Sequence, residues 1–414
     1  MAAMRCILSL ICFLSLAATD IARLRQLEEK NQFFQLREAL QRLGSGDDSE
    51  TLFYRALVES RFGRENAAIA DLQKFLALPS DPVQQRKANE ELASALMRVG
   101  RYGDSARALA EALALTPPGD ADRAGTENSR ALYESLAHVA PQTIEFGQDV
   151  TTQASRNPLG SWDVPVDVNG RQGEWIFDTG ANLSTLTESE AARMGLKPQE
   201  ADAYVNGSTG KKNPLRFAVA QDLRFGNAHL HNVLFLILSD QALYIGPLKY
   251  QIRGILGLPV LRALGCVSMS ANGEVRIETA TAGGAGQPNL FLDDWDLIVD
   301  ARHGDERQQM LLDTGANATE VYPSFRDSLT SDEIARLRRK QDETGGAGGT
   351  ISRMTEVAPT LRLEILGRGV KLKDVSLLPD QPEGGKSYRS GVLGMDALHQ
   401  GFTLDFRNMQ VRIN

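Results

Sequence analysis

Two aspartates in this 414-residue chain sit in nearly the same words, Trp175-Ile-Phe-Asp-Thr-Gly-Ala-Asn182 and Met310-Leu-Leu-Asp-Thr-Gly-Ala-Asn317. One Asp-Thr-Gly would carry little, since the tripeptide also occurs in plain hairpin turns. Two copies 135 residues apart, each closing an apolar run, need a common explanation. Carboxylates brought face to face do acid–base chemistry. Like charges at close range cannot both ionise, so the pair holds one proton; its ionised member can activate a water and its protonated member can serve as the acid. Such a pair suffices to hydrolyse a peptide bond without a metal or a covalent nucleophile. Asp178 and Asp313 are the candidate catalytic residues on that logic.

Each aspartate needs a strand to deliver it and a sharp turn to release it, and Gly180 and Gly315 supply the turn. The surroundings repeat as well. Gly254-Ile-Leu-Gly-Leu-Pro-Val-Leu261 follows the first aspartate by 76 residues, and Gly391-Val-Leu-Gly-Met-Asp-Ala-Leu398 follows the second by 78. Short alternating segments come next, Gly273-Glu-Val-Arg-Ile277 and Asn408-Met-Gln-Val-Arg-Ile413. Upstream, Trp162-Asp-Val-Pro-Val-Asp-Val168 answers Trp295-Asp-Leu-Ile-Val-Asp300. A lobe of roughly 120 residues has been duplicated, a size usual for one domain. A pseudo-twofold axis between the copies would bring the two aspartates together.

These paired motifs resemble the retropepsin-like aspartic proteases, most closely bacterial members with two lobes in one chain. The resemblance covers about residues 160–414 and implies an all-β, two-lobed fold with a shared cleft. It carries catalysis to Asp178 and Asp313, and the active-site turns to Thr179, Gly180, Thr314 and Gly315. It gives the segments around Gly254 and Gly391 a supporting role. It also calls for a flap over the cleft. Tyr204-Val-Asn-Gly-Ser-Thr-Gly210 is the candidate in lobe one, with Asn206, Gly207 and Ser208 at its tip. The counterpart in lobe two, Thr344-Gly-Gly-Ala-Gly-Gly-Thr350, has no side chain suited to gripping a substrate and is expected to be a loose loop.

The remainder of the chain reads differently. Residues 1–20 have the pattern of a secretory signal peptide: Arg5, an apolar stretch from Cys6 to Leu16 and small residues at the end. That stretch is too short for a membrane span, so no stable membrane insertion is expected after cleavage. Export to the periplasm is the expected localisation. It would leave Cys266 as the sole cysteine, in an apolar setting that suits a core residue. Residues 21–140 are helical by period, with Phe62-Gly63-Arg64 answered by Val99-Gly100-Arg101 at a spacing of 37. This resembles tetratricopeptide repeats, whose helix pairs repeat about every 34 residues; a generic helical bundle is the alternative. Residues 141–161 read as a linker, 162–278 as lobe one, 279–290 as a Gly/Ala-rich linker and 291–414 as lobe two. Asp293-Asp-Trp-Asp296 reads as a loop before a strand, and Glu333 to Arg339 as a charged surface helix.

The expected architecture is therefore multidomain: an N-terminal all-α helical repeat ahead of an all-β, duplicated acid-protease fold. A net charge of −8 and a pI near 5.4 argue against nucleic acid, whose phosphates bind basic surfaces. Partners are expected to be a peptide or protein substrate, with the helical repeats open to a further protein. His229 and His231 would share one face of a strand and could take a metal. Nothing else in the sequence completes that set, so no metal or cofactor is expected. The functional expectation is an exported aspartic endopeptidase. The rival is a catalytically silent peptide-binding or scaffolding protein using the same cleft and repeats.

Overall fold

The computed structural model describes residues 20–44, 46, 48–148, 150–206, 212–279, 286–346, 349–381 and 386–414. Helices come first: α1 (20–29), α2 (Phe33–Leu43), α3 (Ser49–Arg61), α4 (Glu65–Leu76), α5 (Pro82–Arg98), α6 (Tyr102–Leu115) and α7 (Arg123–Ser135). Local chemistry sets their ends. Asp48 Oδ1 accepts from Thr51 N at 3.0 Å to cap α3, and Asp81 caps α5, where Pro82 needs no amide partner. The repeated glycines stop α3 and α5 in the same way. Gly63 and Gly100 take φ of 75° and 74°, and the next amide reaches back five residues, Arg64 N to Glu59 O at 2.8 Å and Arg101 N to Leu96 O at 2.9 Å. Only glycine adopts this left-handed closure without strain. Among the described residues no helix is long and apolar enough to cross a membrane.

Two sheet bodies follow. In lobe one the strand Arg171–Phe177 runs parallel to Gly254–Leu256, which pairs antiparallel with Ser184–Thr187. In lobe two Glu306–Leu312 runs parallel to Gly391–Leu393, which pairs antiparallel with Glu320–Val321. The outer strand repeats too, since Val233–Leu238 lies parallel to Ser184–Thr187 as Arg368–Leu377 does to Glu320–Val321. A five-stranded sheet joins the lobes through the antiparallel pair Cys266–Ser270 and Gly401–Asp405, flanked by Glu274–Ile277 and Gln410–Ile413. Buried Val267, Met269, Val275, Phe402, Leu404 and Val411 give this sheet its apolar face.

Four stretches differ from their sequence readings. Residues 141–161 contain strands: Thr143–Phe146 pairs with Ala228–His231 at the edge of lobe one, and Thr151–Gln153 joins the interlobe sheet. The Gly-rich stretch of lobe two is mostly paired backbone, because Arg338–Gly346 and Gly349–Ile365 form one long hairpin whose register runs out to Gly346 opposite Gly349. Ladder hydrogen bonds are made by the main chain, so glycines can extend a hairpin that flanking residues have already registered. The surface helix begins earlier and is shorter, Ser331–Ala335, because Thr330 and Glu333 form a reciprocal capping box. Asp293 and Asp296 close a hairpin, with Asp294 at φ 56° in its turn.

That last hairpin is where the helices dock. Phe33 packs tilted and Phe34 edge-on against Phe291, each with ring centroids 5.2 Å away, and all three rings are buried. Arg61 of α3 pairs with Glu91 at 3.0 Å and with Asp293 across the interface. On the lobe-one side, Arg262 binds Glu65 at 2.6 Å. Burial alone would raise the Asp293 carboxyl, but Arg61 and Lys386 beside it hold it well below the usual carboxylate range.

Candidate active site

The strands Arg171–Phe177 and Glu306–Leu312 each end in one of the two aspartates, and the lobe axis brings the turns into contact. Asp178 N donates to Leu256 O at 3.1 Å, and Asp313 N donates to Leu393 O at 3.0 Å. The supporting Gly segments are therefore directly bonded to the residues they were expected to support. The turns are then tied across the axis by their threonines. Thr179 Oγ1 donates to Leu312 O at 2.6 Å and accepts from Thr314 N at 3.1 Å; Thr314 Oγ1 donates to Phe177 O at 2.8 Å and accepts from Thr179 N at 3.0 Å. Both threonines are buried, so these four bonds are shielded from water.

Glycine is required at the turn for space. Neither Gly180 nor Gly315 adopts a left-handed backbone. A Cβ on Gly180 would stand 2.5 Å from Asp313 Cγ, and one on Gly315 would stand 2.5 Å from Asp178 Cγ. Each turn thus packs its bare Cα against the other lobe's carboxyl, and this places the half-buried carboxyls against each other. Gly180 N donates to Asp178 Oδ1 at 2.8 Å; Gly315 N and Ala316 N donate to Asp313 Oδ1 at 2.8 and 3.0 Å. Burial first, and then the facing Asp313, push the Asp178 carboxyl well above its ordinary value. Burial raises Asp313 as well, with the backbone amides and Asp178 partly offsetting it. Facing carboxyls that are both raised resist ionising together, which favours a single proton shared between them.

The sequence reading missed several supports. Ser161 Oγ donates to Gly315 O at 2.8 Å, so the loop ahead of lobe one braces the turn of lobe two. Asn157 shapes that loop, accepting from Leu159 N and Ser161 N. Ser184 and Thr319 occupy equivalent places, accepting from Gly257 N at 3.0 Å and Gly394 N at 3.1 Å. Their equal spacing after the two aspartates was the available signal. Of the candidate flap residues, Asn206 ends the strand Gln199–Asn206, while Gly207 and Ser208 lie outside the described residues. The base of this hairpin is held by α7: Asn128 donates to Tyr204 O at 3.0 Å and accepts from Tyr204 N at 2.9 Å, and Ser135 Oγ accepts from Asp202 N at 3.1 Å.

A cavity of about 960 Å³ lies apart from the aspartates, neither of which lines it. It lies between helices α5 to α7 and the lobes, and meets the active-site loop at Asn182 and Leu183. Elsewhere, the expectation that nothing completes a set with His229 and His231 needs amending, because Glu145 from the strand Thr143–Phe146 stands beside them. Cys266 is buried in the interlobe sheet, and burial pushes its thiol up to about 12, consistent with an inert core residue.

The β region is thus two similarly built lobes joined by a common sheet, with one Asp-Thr-Gly turn from each lobe meeting at the axis. Residues 164–260, within the first lobe, match the model of the aspartyl protease family. Among solved structures the chain is similar to a retropepsin-like aspartic protease from Rickettsia conorii, at 18% identity and a TM-score of 0.24 over 33% of this chain and 95% of that one. No curated protein matches the chain.

Proposed function

We propose that the chain is an aspartic endopeptidase in which Asp178 and Asp313 form the catalytic dyad. The observation that carries this is the mutual approach of the two turns, each lobe's glycine against the other's carboxyl. Burial raises both carboxyls, and each accepts amides from its own turn, Gly180 N on Asp178 and Gly315 N and Ala316 N on Asp313. In the resting enzyme the pair shares one proton. The ionised member draws a proton from water as the water attacks the scissile carbonyl. The protonated member donates its proton to the carbonyl oxygen, and the dyad then returns a proton to the leaving nitrogen. The two long hairpins, Gln199–Asn206 with Lys212–Ala220 and Arg338–Gly346 with Gly349–Ile365, are suited to covering an extended peptide. The cavity under α5 to α7 supports a role for the helices in contacting substrate or a further protein. The apolar stretch from Cys6 to Leu16 supports export to the periplasm, which cell fractionation would test.

The deciding experiment is cleavage of a mixed peptide library, read by mass spectrometry from pH 3 to 8, for wild type, Asp178→Asn and Asp313→Asn. Cleavage that is strongest on the acid side and lost in both variants is the expected result. Cleavage that survives either substitution would remove the dyad.

A further inference from the structure

The edge of lobe one carries a second chemical cluster that the dyad does not use. Glu145 sits directly opposite His229 in the pairing of Thr143–Phe146 with Ala228–His231, and His231 lies two residues further along the same strand. Residues two apart share a face of a strand, so the three side chains converge. One ligand atom of each lies within 4.8 Å of the others, and the imidazole centroids are 4.3 Å apart.

The second nitrogen of each imidazole is also accounted for. His229 Nε2 lies against the Asp222 carboxylate, and His231 Nδ1 bonds the Gln221 carbonyl oxygen at 3.1 Å. Both partners come from the turn between the strands Lys212–Ala220 and Leu223–Phe225. The other nitrogen of each ring, His229 Nδ1 and His231 Nε2, is not used by these partners. An imidazole that donates one N–H to a carboxylate or backbone carbonyl, with the other nitrogen free, is the arrangement that orients a metal ligand and fixes its tautomer. Two independent partners doing this for two adjacent histidines is more than a solvated strand face requires. We propose that Glu145, His229 and His231 form a zinc site at the edge of lobe one.

Two imidazoles, a carboxylate and one water complete a tetrahedral zinc shell, with bonds of about 2.0–2.2 Å. Glu145 is exposed and both histidines are half-buried, so the carboxylate can rotate inward and water can occupy the fourth position. Arg224, opposite His229 on the neighbouring strand, is paired with Asp222 at 3.7 Å. Imidazole and carboxylate ligands disfavour magnesium and calcium, which take oxygen donors. The site would also have a structural consequence. Thr143–Phe146 is the first strand after the helices, and among the described residues it pairs in the sheet with Ala228–His231 alone. Zinc would therefore fasten the chain leaving the helices to the body of lobe one.

The test uses the full-length, untagged chain stripped with a chelator and titrated with zinc chloride by calorimetry, alongside thermal melts with and without zinc. One equivalent should bind and raise the melting temperature by several degrees. His229→Ala and His231→Ala should abolish binding, Glu145→Gln should weaken it at least tenfold, and Asp222→Asn should weaken it about 10- to 100-fold by releasing the His229 ring. Glu145 is exposed, so Glu145→Gln should melt like wild type when zinc is absent, which separates loss of a ligand from loss of the fold. Absence of zinc binding by the wild type would overturn the proposal, as would one-equivalent binding unchanged in both histidine variants. None of these readouts depends on peptidase activity.

Discussion

The threonine cross-tie gives the sharpest quantitative test. Replacing Thr314 with Val keeps the shape but deletes a hydroxyl that satisfies two buried backbone groups, Phe177 O at 2.8 Å and Thr179 N at 3.0 Å. Each orphaned buried group costs about 1–3 kcal/mol, so Thr314→Val should cost about 2–6 kcal/mol. Thr179→Val orphans a different pair, Leu312 O and Thr314 N, and should cost about the same. Thr→Ser at either position keeps the hydroxyl and removes one methyl group, a loss of about 1 kcal/mol. Urea denaturation followed by tryptophan fluorescence is a suitable assay, because Trp162 and Trp175 are both buried in lobe one. The expected order is wild type, then both Ser variants close behind, then both Val variants well below, with peptidase activity following the same order. If Thr→Val costs no more than Thr→Ser, the hydroxyls are not what hold the two turns together and the argument fails.

Three further outcomes follow from other parts of the fold. Gly180→Ala should abolish activity and destabilise, since its Cβ would lie 2.5 Å from Asp313 Cγ, whereas Gly119→Ala, with nothing within 4 Å, should stay within about 0.5 kcal/mol of wild type in the same denaturation assay. Asp300 is raised by burial from 3.8 to about 6, against the pull of Arg307. A carboxyl raised on folding loses stability as pH rises from its unfolded to its folded value. Asp300→Asn should therefore match wild type near pH 4 and exceed it above pH 6 by about 1–3 kcal/mol, because each pH unit between those two values is worth about 1.4 kcal/mol; an equal gap at both pH values would refute it. Arg61→Met leaves Asp293 and Glu91 short of a buried partner and should cost about 3–5 kcal/mol, visible as faster limited proteolysis near the helix–lobe junction.

The two turns could be read from sequence because their chemistry lies in contiguous residues and occurs twice. The reason for their glycines could not. Sequence suggested an unusual backbone, and the structure shows each glycine closely approaching the other lobe's aspartate, Gly180 against Asp313 and Gly315 against Asp178. The same limit applies to the helical docking. Asp293-Asp-Trp-Asp296 reads as a polar turn, since nothing local announces that Arg61 and Ser94 will meet it. Glu145 looked like one acid among many until a strand pairing set it beside His229. Thr344-Gly-Gly-Ala-Gly-Gly-Thr350 misled in the opposite direction, because composition favours a loop where the register of a long hairpin decides otherwise.

The docking also bears on what the helices are for. A detachable inhibitory segment would lie in the cleft and leave an intact protease when removed. Here Phe291 has two ring neighbours from α2, and Asp293 is neutralised in part by α3. The stretch between helices and lobe supplies the strand Thr151–Gln153 to the interlobe sheet and Ser161 to the lobe-two turn. Deleting residues 21–160 would expose an aromatic face, strand a buried carboxylate and strip a strand from the sheet that joins the lobes. Loss of activity in such a deletion would report damage to the protease itself. A substitution such as Asn128→Ala, which frees the candidate flap hairpin from α7 while leaving the docked faces in place, asks the regulatory question cleanly. A change in KM with unaltered stability would mean that the helices act through the flap.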